Sequence, residues 1–167
     1  SFQKVGDKEE FFAAKDKLEM LTDELISLAL ISKEAWEKMA LLSQKSSLPK
    51  DRLLSTMLEK GPGVGFDFEK LVSALDDQKE RERAEKLFFK KKYRLDLNNN
   101  LEEISLSDPD KELSGVVREI EREIKKEELA KIAADLKLAE ERKDRGAVNF
   151  LRTELKRISD MINQLRQ

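Results

Sequence analysis

The chain has 167 residues, enough for one domain with a real apolar core, and 41% of them are charged, yet 33 Lys and Arg nearly cancel 35 Asp and Glu. That balance leaves no global field to draw in nucleic acid or a membrane surface, so any polyanion binding has to be local. Cys and His are both absent, which excludes disulfides, thiolate metal sites, the usual nitrogen ligand of zinc and the imidazole of a catalytic triad, and makes a reducing, cytoplasmic setting the expectation.

Taken in chain order, the apolar residues follow a helical period. The longest apolar run, Leu25 to Ile31, is far too short to span a membrane and reads as one or two turns of a buried helix. Six Gly and three Pro among many Leu, Lys, Glu and Ala favour helix throughout. Phe11, Ala14, Leu18, Leu21, Leu25 and Leu28 alternate steps of three and four, predicting a helix from about Lys8 to Ile31. Ser32 ends it and caps a second helix bearing Trp36, Met39 and Ala40. After the polar stretch Ser43 to Pro49, the proline suits the first turn of a helix with Leu53, Leu54, Met57 and Leu58, stopped by Gly61 and Pro62. The loop Gly61-Pro62-Gly63-Val64-Gly65 lacks the preceding strand and following lysine-hydroxyl pair of a phosphate cradle, so it reads as a plain connection. Asp67 caps a short helix with Leu71, Val72 and Leu75, a helix with Ala84, Leu87 and Phe88 follows, and Asn98, Asn99 and Asn100 mark a break. The first residue is Ser1 and no signal-peptide pattern follows, so the chain reads as a piece of a longer polypeptide.

Beyond Pro109 a long helix is predicted from about Asp110 to Arg142, with Leu113, Val116, Val117, Ile120 and Ile124 on one stripe. The phase then slips across Lys125, Lys126, Glu127 and Glu128, and Leu129, Ile132, Leu136 and Ala139 resume the pattern, which marks the hand-over from a compact body to an arm. The turn Lys143-Asp144-Arg145-Gly146 precedes a last helix with Val148, Leu151, Leu155, Ile158, Ile162 and Leu165 at heptad-like steps. Folding at Asp144 zips that seam against Leu129 to Ala139. The expectation is therefore all-α: a helical bundle over 1–125 and a C-terminal antiparallel two-helix hairpin over 126–167.

A hairpin of about forty residues buries little surface against the entropy of ordering it, so it completes its burial against the body or in a partner. Its seam residues are used internally, which leaves the stripe about 100° away, Phe150, Glu154, Arg157 and Met161, for a helix-in-groove contact. The plainer reading has Phe150 and Met161 widen the seam. Lys143 and Arg145, with Arg142, form a positive tip that is either a partner contact or a set of cations favoured at a helix C-terminus. Lys86, Lys90, Lys91, Lys92 and Arg94 surround Phe88, Phe89 and Tyr93, a combination that suits single-stranded nucleic acid or an acidic peptide tail; the plainer reading is a solvated helix end. No catalytic constellation, metal site or cofactor site is evident, and a carboxylate-bridged metal bundle would want Glu-x-x-His pairs that this chain cannot supply.

Leu21-Thr22-Asp23-Glu24-Leu25-Ile26-Ser27-Leu28 opens the recognisable part, Glu127-Glu128-Leu129-Ala130 leads into Glu140-Glu141-Arg142-Lys143-Asp144, and Phe150-Leu151-Arg152-Thr153-Glu154-Leu155-Lys156-Arg157-Ile158 closes it. In element order and hydrophobic register, the span from Leu21 to Gln167 resembles the C-terminal helicase-binding domain of bacterial DnaG-type replicative primases. The resemblance implies a non-catalytic docking domain whose hairpin grips the N-terminal domain of the hexameric DnaB-type replicative helicase and keeps primer synthesis at the replication fork. It implies that the nucleotidyltransferase chemistry of such a primase resides in other parts, which need Cys or His ligands and acidic clusters. It also offers the acidic tail of single-strand DNA-binding protein as a ligand for the patch from Lys86 to Arg94. The N-terminal domain of the helicase shares the bundle-plus-hairpin shape and stands as the rival. Residues 1–20 lie outside the resemblance and read as linker from a preceding domain.

Overall fold

The computed structural model describes residues 2–45, 48–64, 67–95, 98–103 and 108–166, with 2–16, 61–64 and 94–95 described as backbone alone. These residues form α1 (Phe2–Ile31), α2 (Lys33–Lys45), α3 (Arg52–Val64), α4 (Phe68–Ala74), α5 (Gln78–Lys92), β1 (Tyr93–Leu95), β2 (Leu101–Glu103), α6 (Pro109–Glu141) and α7 (Arg145–Leu165). The fold is all-α apart from one antiparallel ribbon with Tyr93 opposite Glu103 and Leu95 opposite Leu101.

Helix starts are set by short polar side chains. Backbone N–H groups of Ala35, Leu54, Lys79, Lys111 and Ala147 donate to Ser32 Oγ, Asp51 Oδ1, Asp77 Oδ1, Asp108 Oδ1 and Asp144 Oδ1 at 3.2, 3.0, 2.8, 3.1 and 3.1 Å. Asp67 Oδ1 accepts from both Glu69 and Lys70. Each cap satisfies a donor that the first turn would otherwise leave unpaired, and the carboxylates sit at the positive end of the helix dipole.

These caps explain where the sequence expectations need correction. α3 starts after Asp51 rather than at Pro49, because the Asp51 carboxylate supplies the cap. It continues through Gly61 and Pro62 to Val64; proline keeps a helical φ and this close to the helix end forgoes a single hydrogen bond. α1 begins at Phe2 rather than near Lys8. Of its expected stripe, the Phe11 and Ala14 side chains lie outside the described residues. The break at Asn98 to Asn100 lies within the ribbon's loop, and Asn99 adopts φ 59°, the left-handed turn geometry that Asn tolerates better than most residues.

The first of two compact units extends to Val117. Its centre is the second half of α1, where Leu25, Ile26, Leu28, Ala29 and Leu30 are all buried, so α1 there is apolar around its whole circumference, as expected of a central helix. α2 and α5 pack on it, with Ala35, Trp36, Met39, Ala84 and Leu87 buried, and α3 packs on α4 and α5 through Leu53, Leu54, Met57, Leu71 and Leu75. Arg83 on α5 ties three helices together. Its Nη1 lies 2.9 Å from Asp51 Oδ2 and its Nη2 2.7 Å from Asp23 Oδ1. Burial pulls the Arg83 pKa down, but hydrogen bonds to Asp23 and Asp51 outweigh it and the net shift is upward.

The second unit, Arg118–Gln167, holds the rest of α6 and all of α7. The division falls inside α6 and earlier than the expected 125/126 boundary. On α6, Leu113, Val117, Ile120 and Glu123 are buried, and the division falls between the second and third of them. α6 ends in a Schellman motif: the Lys143 N–H donates to Glu140 O and the Asp144 N–H to Ala139 O, both at 3.1 Å, with Lys143 at φ 58°. Asp144 then caps α7, so one residue closes the first helix and opens the next. Lysine pays a left-handed penalty there that glycine avoids. Lys143→Gly is expected to raise the unfolding free energy of the hairpin by about 1 kcal/mol in chemical denaturation followed by circular dichroism; a decrease would mean that the lysine side chain contributes a contact worth more than the backbone relief.

Candidate functional site

α7 carries two parallel stripes. On the seam, Ile158 and Ile162 are buried and Val148, Leu151, Leu155 and Leu165 are half-buried, facing the stripe of α6 where Leu129, Ile132 and Leu136 are half-buried and Ala139 is buried. Between the two helices, Arg152 Nη2 lies 3.3 Å from Glu140 Oε1, an exposed ion pair consistent with this register.

The four residues expected on the neighbouring stripe do lie in one line, but differ in setting. Phe150 is 65% exposed, which places it off the seam. Met161 and Glu154 are half-buried and Arg157 is exposed. Arg157 joins the line: its Nη2 donates to Glu154 Oε2 at 2.7 Å, its Nε approaches both carboxylate oxygens at 3.2 and 3.3 Å, and its Nη1 contacts Met161 Sδ at 3.5 Å. The Arg157 hydrogen bond holds the Glu154 carboxyl below its ordinary range against a smaller opposing effect of burial, and Glu154, helped by Glu128 from α6, raises the Arg157 guanidinium. The outcome is a charged pair that touches a thioether, on the same helix face as an exposed phenyl ring three turns earlier.

Sequence reasoning missed a second exposed apolar side chain in this unit. Leu138 on α6 is 48% exposed, and with Phe150 it makes up the large exposed hydrophobics described in this unit. Leu138 and Phe150 stand six residues before and six after Asp144, so the antiparallel fold sets them at the same level. The available signal was an apolar residue between Leu136 and Ala139 that falls off the seam's period.

At the turn, Arg142, Lys143 and Arg145 are exposed and form no ion pair among the described residues. Arg142 and Lys143 follow the last turn of α6, where the helix dipole favours cations. Arg145 lies in the first turn of α7, where the dipole disfavours it, so the helix-end explanation does not extend to Arg145.

The expected basic patch is not one surface. Lys91 turns inward to an ion pair with Glu24 of α1. Lys92 Nζ stands 5.2 and 5.7 Å from the ring centroids of Phe88 and Tyr93 and 4.0 Å from Glu103. The Arg94 side chain lies outside the described residues. Lys86 and Lys90 are exposed and have no carboxylate partner among the described residues. The reason is helical geometry: consecutive lysines on α5 point in directions about 100° apart, and acids from α1 and β2, distant in sequence, meet two of them. On the α1 side, Met20, Asp23, Glu24, Ser27, Leu87, Lys90 and Lys91 line a cavity of about 270 Å3.

Among the described residues no group of three or more acidic side chains converges as a metal cage, and no helix is long and apolar enough to cross a membrane. No protein-family model, curated protein or solved structure matches the chain.

The depressed Glu154 pKa carries a sign: the pair with Arg157 contributes above the ordinary carboxylate range and is lost only as pH falls through the lowered value. In an NMR titration of side-chain carboxyl groups, Glu154 is expected to titrate below the ordinary glutamate range, and Arg157→Ala to move its midpoint up. A midpoint unmoved by that substitution would show that the pair does not persist in solution.

Proposed function

We propose that this chain is a non-catalytic docking module whose hairpin is the grip, and that its partner is the N-terminal domain of a hexameric DnaB-type replicative helicase, as the resemblance to the helicase-binding domain of replicative primases implies. The observation that carries the reading is the line from Phe150 to Met161, with Phe150 exposed and Met161 half-buried, in a two-helix unit that also leaves Leu138 exposed. In this role the module tethers a cytoplasmic primase to the fork and performs no reaction itself. Burying Phe150 and Leu138 would contribute about 1.5 to 3 kcal/mol each before the cost of association, which suits weak single-site binding strengthened by a hexamer that offers several sites.

Phe150→Ala, at a side chain with little to lose in the hairpin itself, is expected to leave helicity and melting unchanged and to weaken binding of the helicase N-terminal domain at least tenfold in isothermal titration. Leu138→Ala follows in the same direction. Wild-type affinity in both variants would remove this face from the interface. The rival within the same fold, the helicase N-terminal domain itself, predicts instead that the chain binds the primase's terminal hairpin domain and ignores a helicase domain.

A second reading is favoured by the cavity between α1 and α5. Met20 is 71% exposed at its edge, Leu87 lines it, and Lys90 lines it without a carboxylate partner among the described residues, an arrangement that suits an acidic peptide ending in an apolar residue, such as the tail of single-strand DNA-binding protein. Lys90→Glu is expected to weaken such a peptide about tenfold by fluorescence anisotropy, since it reverses a charge at the cavity's edge. Equal affinity in parent and variant would exclude the cavity.

A further inference from the structure

The aromatic residues at the end of α5 do not close into a core. Phe68 of α4 stacks on Phe88 with centroids 3.8 Å apart and planes within 9°. Phe88 meets Phe89 edge-to-face at 5.6 Å, and Phe89 lies 5.9 Å from Tyr93 at 28°. These contacts run as a row from α4 across α5 to β1. Rings gathered only to brace three elements would hide themselves. Here Phe68, Phe88 and Tyr93 are half-buried, and Phe89 is 57% exposed although its neighbours hold it on two sides.

Cations border the exposed ring. Lys86 lies one turn before Phe89 and Lys90 immediately after it; both reach solvent, and neither is neutralised by a carboxylate among the described residues. Lys92 sits over the Phe88 and Tyr93 rings. Of the exposed acids of the helix, Glu82 lies toward its start and accepts from Gln78, while Glu85 stands at mid-helix, one turn before Phe89. An anionic strand would therefore run toward the Lys90 end.

We propose that this face binds single-stranded nucleic acid, with a base stacked on Phe89 and adjoining phosphates held by Lys86 and Lys90. Every base has a π-face to offer such a ring, so recognition is tolerant of sequence. An acidic peptide would use the lysines and leave the ordered ring idle, and Phe89 does not line the α1–α5 cavity, so the two ligands separate at this residue. With two unneutralised lysines the footprint is short and the affinity modest. The proposal stands apart from the hairpin and holds whether or not the docking reading does.

The test uses the full chain with labelled oligothymidylate and oligouridylate in fluorescence anisotropy across a salt series. Both are expected to bind, with a log–log salt slope of about −1.4 for two phosphate contacts on a single strand; binding of one alone supports the proposal and assigns DNA or RNA as the source. Phe89→Ala should weaken binding about tenfold, Phe89→Tyr should restore it, and Lys86→Glu should lower both affinity and salt slope, all with helicity and melting unchanged. The proposal is overturned if neither oligonucleotide binds, if Phe89→Ala binds as tightly as the parent, or if an acidic peptide but no oligonucleotide responds to Phe89→Ala.

Discussion

Two helices packed side by side share a single seam, and any large apolar side chain off that seam meets water. This constraint governs the C-terminal unit. α6 and α7 spend Ile158, Ile162 and Ala139 on their mutual contact, and no third helix within the unit covers Phe150 or Leu138. A surface phenyl ring alone requires no explanation. What gives this one meaning is its company: a leucine at the same level of the other helix, and a guanidinium that grips a carboxylate on one side and touches a thioether on the other. Side chains already held in one arrangement lose less freedom on binding than mobile ones, which is what the proposed docking role would draw on.

The first unit answers the same constraint differently. α1 from Leu25 to Leu30 is covered on every side, and its polar residues are drawn into ties, with Arg83 bridging Asp23 of α1 and the Asp51 that caps α3. One carboxylate thus both starts a helix and anchors a neighbour. The large exposed apolar side chains of this unit are Met20, within α1 beside the α1–α5 cavity, Leu41 on α2, Phe89 near the C-terminus of α5 and Leu101 in the ribbon. Hydrophobic burial and capping fix the framework, and what lies outside that framework is where ligands have something to gain.

Much of this was legible in the sequence because it is local. The heptad steps of α7, the slipped phase of α6, the turn at Asp144 and the caps at Ser32 and Asp67 follow from spacing and from side chains that reach their own backbone. The stripe Phe150, Glu154, Arg157 and Met161 was legible for the same reason, since residues three and four apart share a helix face. Long-range features were not. Nothing in the order of residues shows that Lys91 meets Glu24, that Phe68 stacks on Phe88, or that Arg83 finds two aspartates, because each pairing depends on how helices far apart in sequence come together. The α3 boundaries were misplaced by reading Pro49 and Pro62 as decisive, when a capping carboxylate outweighed the first and helix-compatible φ accommodated the second.

The central claim is that the hairpin's uncovered face, rather than the bundle, makes the contact with another protein. Backbone amide hydrogen exchange of the chain, with and without the helicase N-terminal domain at saturating concentration, examines it most directly, because exchange reports burial residue by residue. Added protection should concentrate around Leu138 and from Phe150 to Met161, leaving the amides of Leu25 to Leu87 as they were. Protection confined to the bundle in a complex that forms normally, with the hairpin unchanged, would contradict it.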